Sequence, residues 1–192
     1  MEKLIGLKKI KTAVFISGTG SNLKNLIKFS KIKRTPISVD LIISNTGLAK
    51  GLKYSDQFKI KKKIFNFKNY NETEKKILTL LKKEKIEFIC LAGYMKILSG
   101  SFIKKFGRKI INIHPSLLPK YKGLNTHARA IKNKDKLAGC TVHYVDAKLD
   151  SGKIILQKKI MISARDDPAS LKKKVLKQEH KLYPAAIMKI FN

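Results

Sequence analysis

A chain of 192 residues, 43% hydrophobic with charge interspersed, is long enough for one sizeable core and too apolar to be disordered. No apolar run approaches the roughly 20 residues that span a bilayer, and no signal-peptide core opens the chain, so no membrane partner is expected and the cytoplasm is the expected compartment. The formal net charge of +30 invites a nucleic-acid reading, but only Arg34, Arg108, Arg129 and Arg165 among the 43 basic residues are arginines. The lysines run along the whole chain and share A/T-rich codons with its many Ile and Asn. Mutational bias accounts for them, and nucleic acid is expected to bind only non-specifically, at low salt.

Residues 12–16 form an apolar strand, residues 18–22 a turn, and Leu23, Leu26, Ile27 and Ser30 continue at helical spacing. Residues 39–43 are a second strand, with a helical pattern after Thr46-Gly47. Residues 63–67 read as a weaker strand, and residues 71–83 as a helix with Ile77, Leu80 and Leu81 on one face. Residues 88–92 and 110–113 are buried strands. Continuous apolar strands alternating with helices predict a doubly wound, mostly parallel sheet covered on both faces. After Gly139, "CTVHYV" and "KIILQKKIMI" alternate, which predicts half-exposed antiparallel strands. A last helix follows, with Asp167 as N-cap and Pro168 at its first position. The expected fold is therefore α/β, one domain over residues 1–192, with halves dividing near residue 110 and a C-terminal antiparallel extension. Cys90 and Cys140 lie in apolar runs without a metal-ligand partner and read as small buried hydrophobes.

Gly18-Thr19-Gly20-Ser21-Asn22 joins the first strand to the first helix. Glycines let the backbone pass close to a ligand, and the N–H groups of a first helical turn favour an anion. Leu23 stands where the dinucleotide fingerprint needs a third glycine, no acidic residue ends the second strand, and the Walker lysine is missing. A dinucleotide is not expected. A phosphate monoester held by Gly20, Ser21 and Asn22 is one reading, a plain turn with a capped helix the other, and the pattern does not choose between them.

In an open α/β sheet, ligands collect at the carboxyl ends of strands. Asn112 and His114 lie at such an end, and Asp150 lies in a loop before a later apolar run. A histidine can move a proton near neutral pH, an aspartate can stabilise an imidazolium, and an asparagine amide can donate to an oxyanion. No Ser or Cys stands in a nucleophile elbow and neither HExxH nor CxxC occurs, so no metal is expected and the substrate would bring the nucleophile. Histidines near strands are also commonly structural. His143 reads as a pleat-facing structural residue, His127 and His180 lie in helical context with either reading open, and spacing alone barely separates His114 from them.

The segments "ISGTGSNL", "LAGYMKILS", "NIHPSLLPKYKG", "GCTVHYVDAKLDSGKIILQ" and "QEHKLYP" run in the order and approximate spacing of the folate-dependent formyltransferases. Across nearly its whole length the chain most resembles the purine-synthesis branch of that family. The resemblance implies a Rossmann-like domain, 10-formyltetrahydrofolate as co-substrate, and the amine of a phosphoribosylglycinamide as acceptor on the route to IMP. It implies that Gly20, Ser21 and Asn22 hold the acceptor phosphate and that Glu179 contacts the acceptor. Asn112, His114 and Asp150 become the catalytic trio. Tyr94, Met95, Lys96, Ile97 and Leu98 become the pterin pocket, with Asn112, Val145, Asp146 and Asp150 also on the folate side and residues 145–150 closing over it. Lys96, Lys122 and Asn125 depart from the family pattern, which favours Arg, Pro and His there. Methionyl-tRNA formyltransferase carries a C-terminal domain and formyltetrahydrofolate deformylase an N-terminal one, for which 192 residues leave no room. Sugar-amine formyltransferases share the trio but differ around "HPSLLPKY" and the glycine turn. They remain the alternative acceptor class, with a basic nucleic-acid-binding protein on this fold behind them. The expected partners are small molecules, and the oligomeric state is left open.

Overall fold

Ala13, Val14, Phe15 and Ile16 are all fully buried, which places β1 (Ile10–Ile16) in mid-sheet with helices on both faces. The computed structural model describes residues 8–191. The other strands are β2 (Ile37–Ser44), β3 (Lys61–Ile64), β4 (Phe88–Leu91), β5 (Ile110–His114), β6 (Leu137–Tyr144) and β7 (Ile154–Met161). Their spatial order is β3-β2-β1-β4-β5-β6-β7. The first five run parallel, and β6 and β7 add antiparallel pairs.

The two-residue period of a strand sorts the core into two layers. Val14 and Ile16 face α1 (Ser21–Ser30) and α6 (Pro168–Phe191), in a cluster with Leu23, Leu26, Val175 and Tyr183. Ala13 and Phe15 face the opposite layer, with Ile77 and Leu81 of α3 (Tyr70–Lys83) and Phe102 of α4 (Gly100–Phe106). Full burial of each such Leu, Ile or Phe contributes about 1.5–3 kcal/mol. The helical spacing read after the glycine turn is the buried face of α1: Leu23, Leu26, Ile27 and Ser30. The helical pattern after Thr46-Gly47 becomes a 3-10 turn (Lys50–Leu52) followed by α2 (Lys53–Phe58). The last helix starts as expected, with Asp167 Oδ1 accepting the Ser170 N–H at 2.6 Å. Further along α6, the buried Tyr183 hydroxyl donates to the Leu91 and Ile111 carbonyls at 2.9 and 3.2 Å, tying the helix to β4 and β5.

Two elements differ from the sequence pattern. The weak strand forms at Lys61–Ile64, two residues early, because Leu41–Ser44 of β2 pairs there. It is an exposed edge, where lysines discourage further pairing. β6 is buried and not half-exposed: Cys140 and Val142 pack in the α6 layer, while Thr141 is covered by the loop after β5, donating to the Ser116 carbonyl at 2.6 Å and accepting from the Leu118 N–H at 3.1 Å. β7, at the other edge, is half-exposed as its alternation predicts.

The chain leaves β1 toward β2 on one side and reaches β4 on the other, so the sheet has a switch point between β1 and β4. A crevice opens at the carboxyl ends of such neighbours. Here the two loops meet, the Ser17 N–H donating to the Gly93 carbonyl at 3.1 Å.

Candidate active site

That crevice is a cleft of about 1060 Å³. The glycine turn, the segment after β4, the ends of β5 and β6, the 145–150 loop and one face of α6 all line it. At the turn, Gly20 is the N-cap of α1 with a left-handed backbone (φ 74°, ψ 26°), and no side chain caps the helix. A Cβ at Gly20 would lie 2.6 Å from Gly51 Cα, so this glycine also permits a close backbone contact. The uncapped first-turn N–H groups and the helix dipole favour an anion. Asn22 Nδ2 donates to Glu179 Oε2 at 2.6 Å, joining the two acceptor-side residues named from sequence, and Asn22 Oδ1 is buried with no protein partner among the described residues. Burial pushes the Glu179 carboxyl above its ordinary range, against the lowering effect of Asn22 and of Lys172.

Asn112, His114 and Asp150 come together. His114 Nδ1 lies 3.3 Å from Asp150 Oδ2, and the two side chains are 6% and 7% exposed. Asp150 Oδ2 also accepts the Gly123 N–H at 2.8 Å. The His114 Nε2 faces the Tyr121 carbonyl at 2.8 Å, so each ring nitrogen meets an oxygen.

His143, read as a pleat-facing structural residue, lies beside the same cluster. In the β5–β6 register Asn112 lies opposite His143 and His114 opposite Thr141, so the polar alternation of "NIH" meets that of "TVH" on one face. That matching alternation was the available signal, but it becomes visible only once the two strands are paired. His143 Nδ1 bonds the Tyr144 carbonyl at 2.8 Å, and its Nε2 accepts from Asn112 Nδ2 at 3.3 Å and stands 3.6 Å from Asp150 Oδ1. Burial holds His143 below its ordinary pKa, which suits a neutral ring accepting from an amide. This bond uses one Asn112 N–H and leaves the second for a ligand.

Tyr94, Met95, Lys96, Ile97 and Leu98 line the cleft, as do Val145 and Asp146. The Tyr94 ring itself is core, edge-on to Phe15 at 5.3 Å, so its contribution to the cleft is mainly backbone. Met95 and Ile97 expose most of their side chains. His127, on α5 (Thr126–Lys132), lines the cleft, and burial lowers its pKa. His180 is absent from the cleft wall. Its backbone carbonyl accepts from Asn25 Nδ2 at 2.6 Å, tying α6 to α1, and its Nε2 is buried with no partner among the described residues. Lys172, on the cleft side of α6, was not singled out from sequence. Among the described residues no group of three or more His, Cys, Asp or Glu is arranged to hold a metal, and no helix is long and apolar enough to cross a membrane.

The chain belongs to the formyl transferase family, whose pattern matches residues 10–187. It is similar to the phosphoribosylglycinamide formyltransferase of Haemophilus influenzae, with 42% identity over 184 residues, covering 94% of this chain and 86% of that protein. It is also 41% identical over 183 residues to the human trifunctional purine biosynthetic protein adenosine-3, covering 94% of this chain but only 18% of that protein's length. Among solved structures, the phosphoribosylglycinamide formyltransferase of Brucella melitensis superposes with a TM-score of 0.90 at 40% identity, covering 95% of this chain and 96% of that one.

Proposed function

We propose that this chain transfers the formyl group of 10-formyltetrahydrofolate to the amine of phosphoribosylglycinamide, a step of purine synthesis. The observation that carries the reading is the meeting, in one cleft, of an uncapped glycine turn able to take a phosphate, the Asn112–His114–Asp150 cluster, and the cleft-lining segment at residues 94–98. The names of relatives that match this chain over most of both lengths support the same reaction.

In this reading Gly20, Ser21 and Asn22 hold the acceptor phosphate and Glu179 orients the acceptor beside it. The acceptor amine attacks the formyl carbon, and a C–N bond forms as the carbonyl oxygen takes on negative charge. The second N–H of Asn112 donates to that oxygen. His114 reaches it by exchanging its Tyr121 contact for the substrate while Asp150 keeps hold of Nδ1. The bond to folate N10 then breaks, and the proton lost by the amine passes to N10 through the His114–Asp150 pair and water. Val145 and Asp146 flank the donor from the 145–150 loop.

The test is an absorbance assay of folate turnover with phosphoribosylglycinamide as acceptor, beside a sugar-amine acceptor. Turnover with the phosphoribosyl acceptor alone is expected, and turnover with the sugar amine alone would refute the assignment. His114→Ala should lower kcat by about 10²–10³, the usual loss for one oxyanion donor.

A further inference from the structure

We propose that Glu74, with Tyr70, positions the donor-binding segment, so that the edge facing the formyl-folate is set from α3 outside the cleft; this rests on the reaction proposed above. Glu74 is buried, and both of its oxygens are committed to one residue of the segment. Oε1 accepts the Ser99 N–H at 2.8 Å and Oε2 accepts the Ser99 hydroxyl. The Ser99 Oγ in turn accepts the Phe102 N–H at 3.0 Å as the N-cap of α4, so the carboxyl fixes the direction in which the cap hydroxyl points. One helical turn before Glu74, the Tyr70 hydroxyl donates to the Ile97 carbonyl. At the other end, Ser17 Oγ accepts the Met95 N–H at 2.7 Å and donates to Asn45 Oδ1 at 2.5 Å.

The tied residues are 95, 97 and 99, every second one. These anchors hold the segment from the side of α3 and of the loop after β1. Among the described residues, the backbone N–H and C=O of Lys96 and Leu98 have no hydrogen-bond partner, and both residues line the cleft. A wall of unpaired peptide donors and acceptors suits a flat heteroaromatic ring that carries amide and amine groups. Its register against such a ring depends on anchors that never touch it. Glu74 supplies two of them.

The test is steady-state kinetics of the full chain with 10-formyltetrahydrofolate and phosphoribosylglycinamide, for wild type, Glu74→Ala, Glu74→Gln and Tyr70→Phe. Glu74→Ala should raise the donor KM about tenfold, Glu74→Gln and Tyr70→Phe several-fold, with the acceptor KM within about twofold of wild type. A merely structural role would lower Tm without separating the two substrates. Should Glu74→Ala fail to fold, Glu74→Gln keeps the volume, and Tyr70, more than a third exposed, tolerates loss of its hydroxyl. No formyl transfer by the wild type would refute the reaction and this inference together. Wild-type transfer with unchanged donor KM in the folded variants, or with both KM values raised alike, would refute the inference alone.

Discussion

Gly20→Ala should damage the fold before it reports on any phosphate. The residue sits at φ 74°, ψ 26°, where an L side chain costs about 1–2 kcal/mol. The new Cβ would stand 2.6 Å from Gly51 Cα and 3.4 Å from the Tyr54 ring. The first of these is a backbone atom and cannot swing aside, so the 3-10 turn at Lys50–Leu52 must shift, an overpacking cost of about 1–3 kcal/mol. Together these predict a loss of about 2–5 kcal/mol and, for a chain of this size, a fall in Tm of about 4–20 °C. The measurement is thermal unfolding by circular dichroism, with Gly18→Ala as control. A Cβ at Gly18 meets nothing within 4 Å, so that variant should melt within about 2 °C of wild type. If Gly20→Ala melted with the wild type and only the acceptor KM rose, the close contact with Gly51 would not govern this position, and the glycine would serve the ligand alone.

Asp150→Asn keeps an acceptor for the Gly123 N–H but removes the charge beside His114. In steady-state assays kcat should fall about 10²-fold with little change in either KM, the pattern of an interaction felt in the transition state. For Glu179, burial raises the folded-state pKa above its ordinary 4.5, so the native state holds the proton longer than the unfolded chain, and this residue's contribution to stability is lost as pH rises from about 4.5 toward the raised value. Glu179→Gln should therefore melt higher than wild type at pH 7 and lose that advantage at pH 4. His143 works in the opposite sense: its folded pKa lies below 6.5, so its contribution is present above pH 6.5 and lost as pH falls below it, and His143→Gln should flatten the fall in Tm between pH 7 and pH 5.

What was legible in the sequence was periodic or covalently local. The four positions of α1 that face the core are those that recur at helical spacing, because one stripe of the helix is buried against the sheet and α6. The cap at Asp167 and the carboxyl-end placement of Asn112 and His114 follow from short-range chemistry and strand direction. The burial of β6 was not legible, because its second face is covered by a loop that folds back from residue 116. The surroundings of His143 were not legible for a related reason: its neighbours Asn112 and Asp150 come from another strand and a loop, and a single histidine in an alternating strand carries no sign of them. Glu74 was invisible as well. On α3 it reads as one more charge among lysines, and only the chain's return at Ser99 gives it a purpose.

The few acidic residues in so basic a chain have structural roles. Of the 13 acidic residues, Glu2 lies outside the described residues, and each of the others has a definite partner. Asp56, Glu72, Glu84, Glu87, Asp135 and Asp166 form ion pairs with Lys or Arg. Asp40 accepts the Thr12 N–H between β1 and β2, Asp146 shapes its own turn, and Asp167 caps α6. Glu74, Asp150 and Glu179 are the carboxyls with the cleft or its supports as partners. A chain selected for a polyanion would concentrate cations on one face and favour arginine for its bidentate fork. This one instead keeps carboxylates where an amide, a hydroxyl or a cation requires them and carries lysine across the remaining surface. For the reaction proposed above, the same excess of positive charge would give the cleft, lined by the α1 N-terminus and Lys172, a long-range attraction for the phosphorylated acceptor.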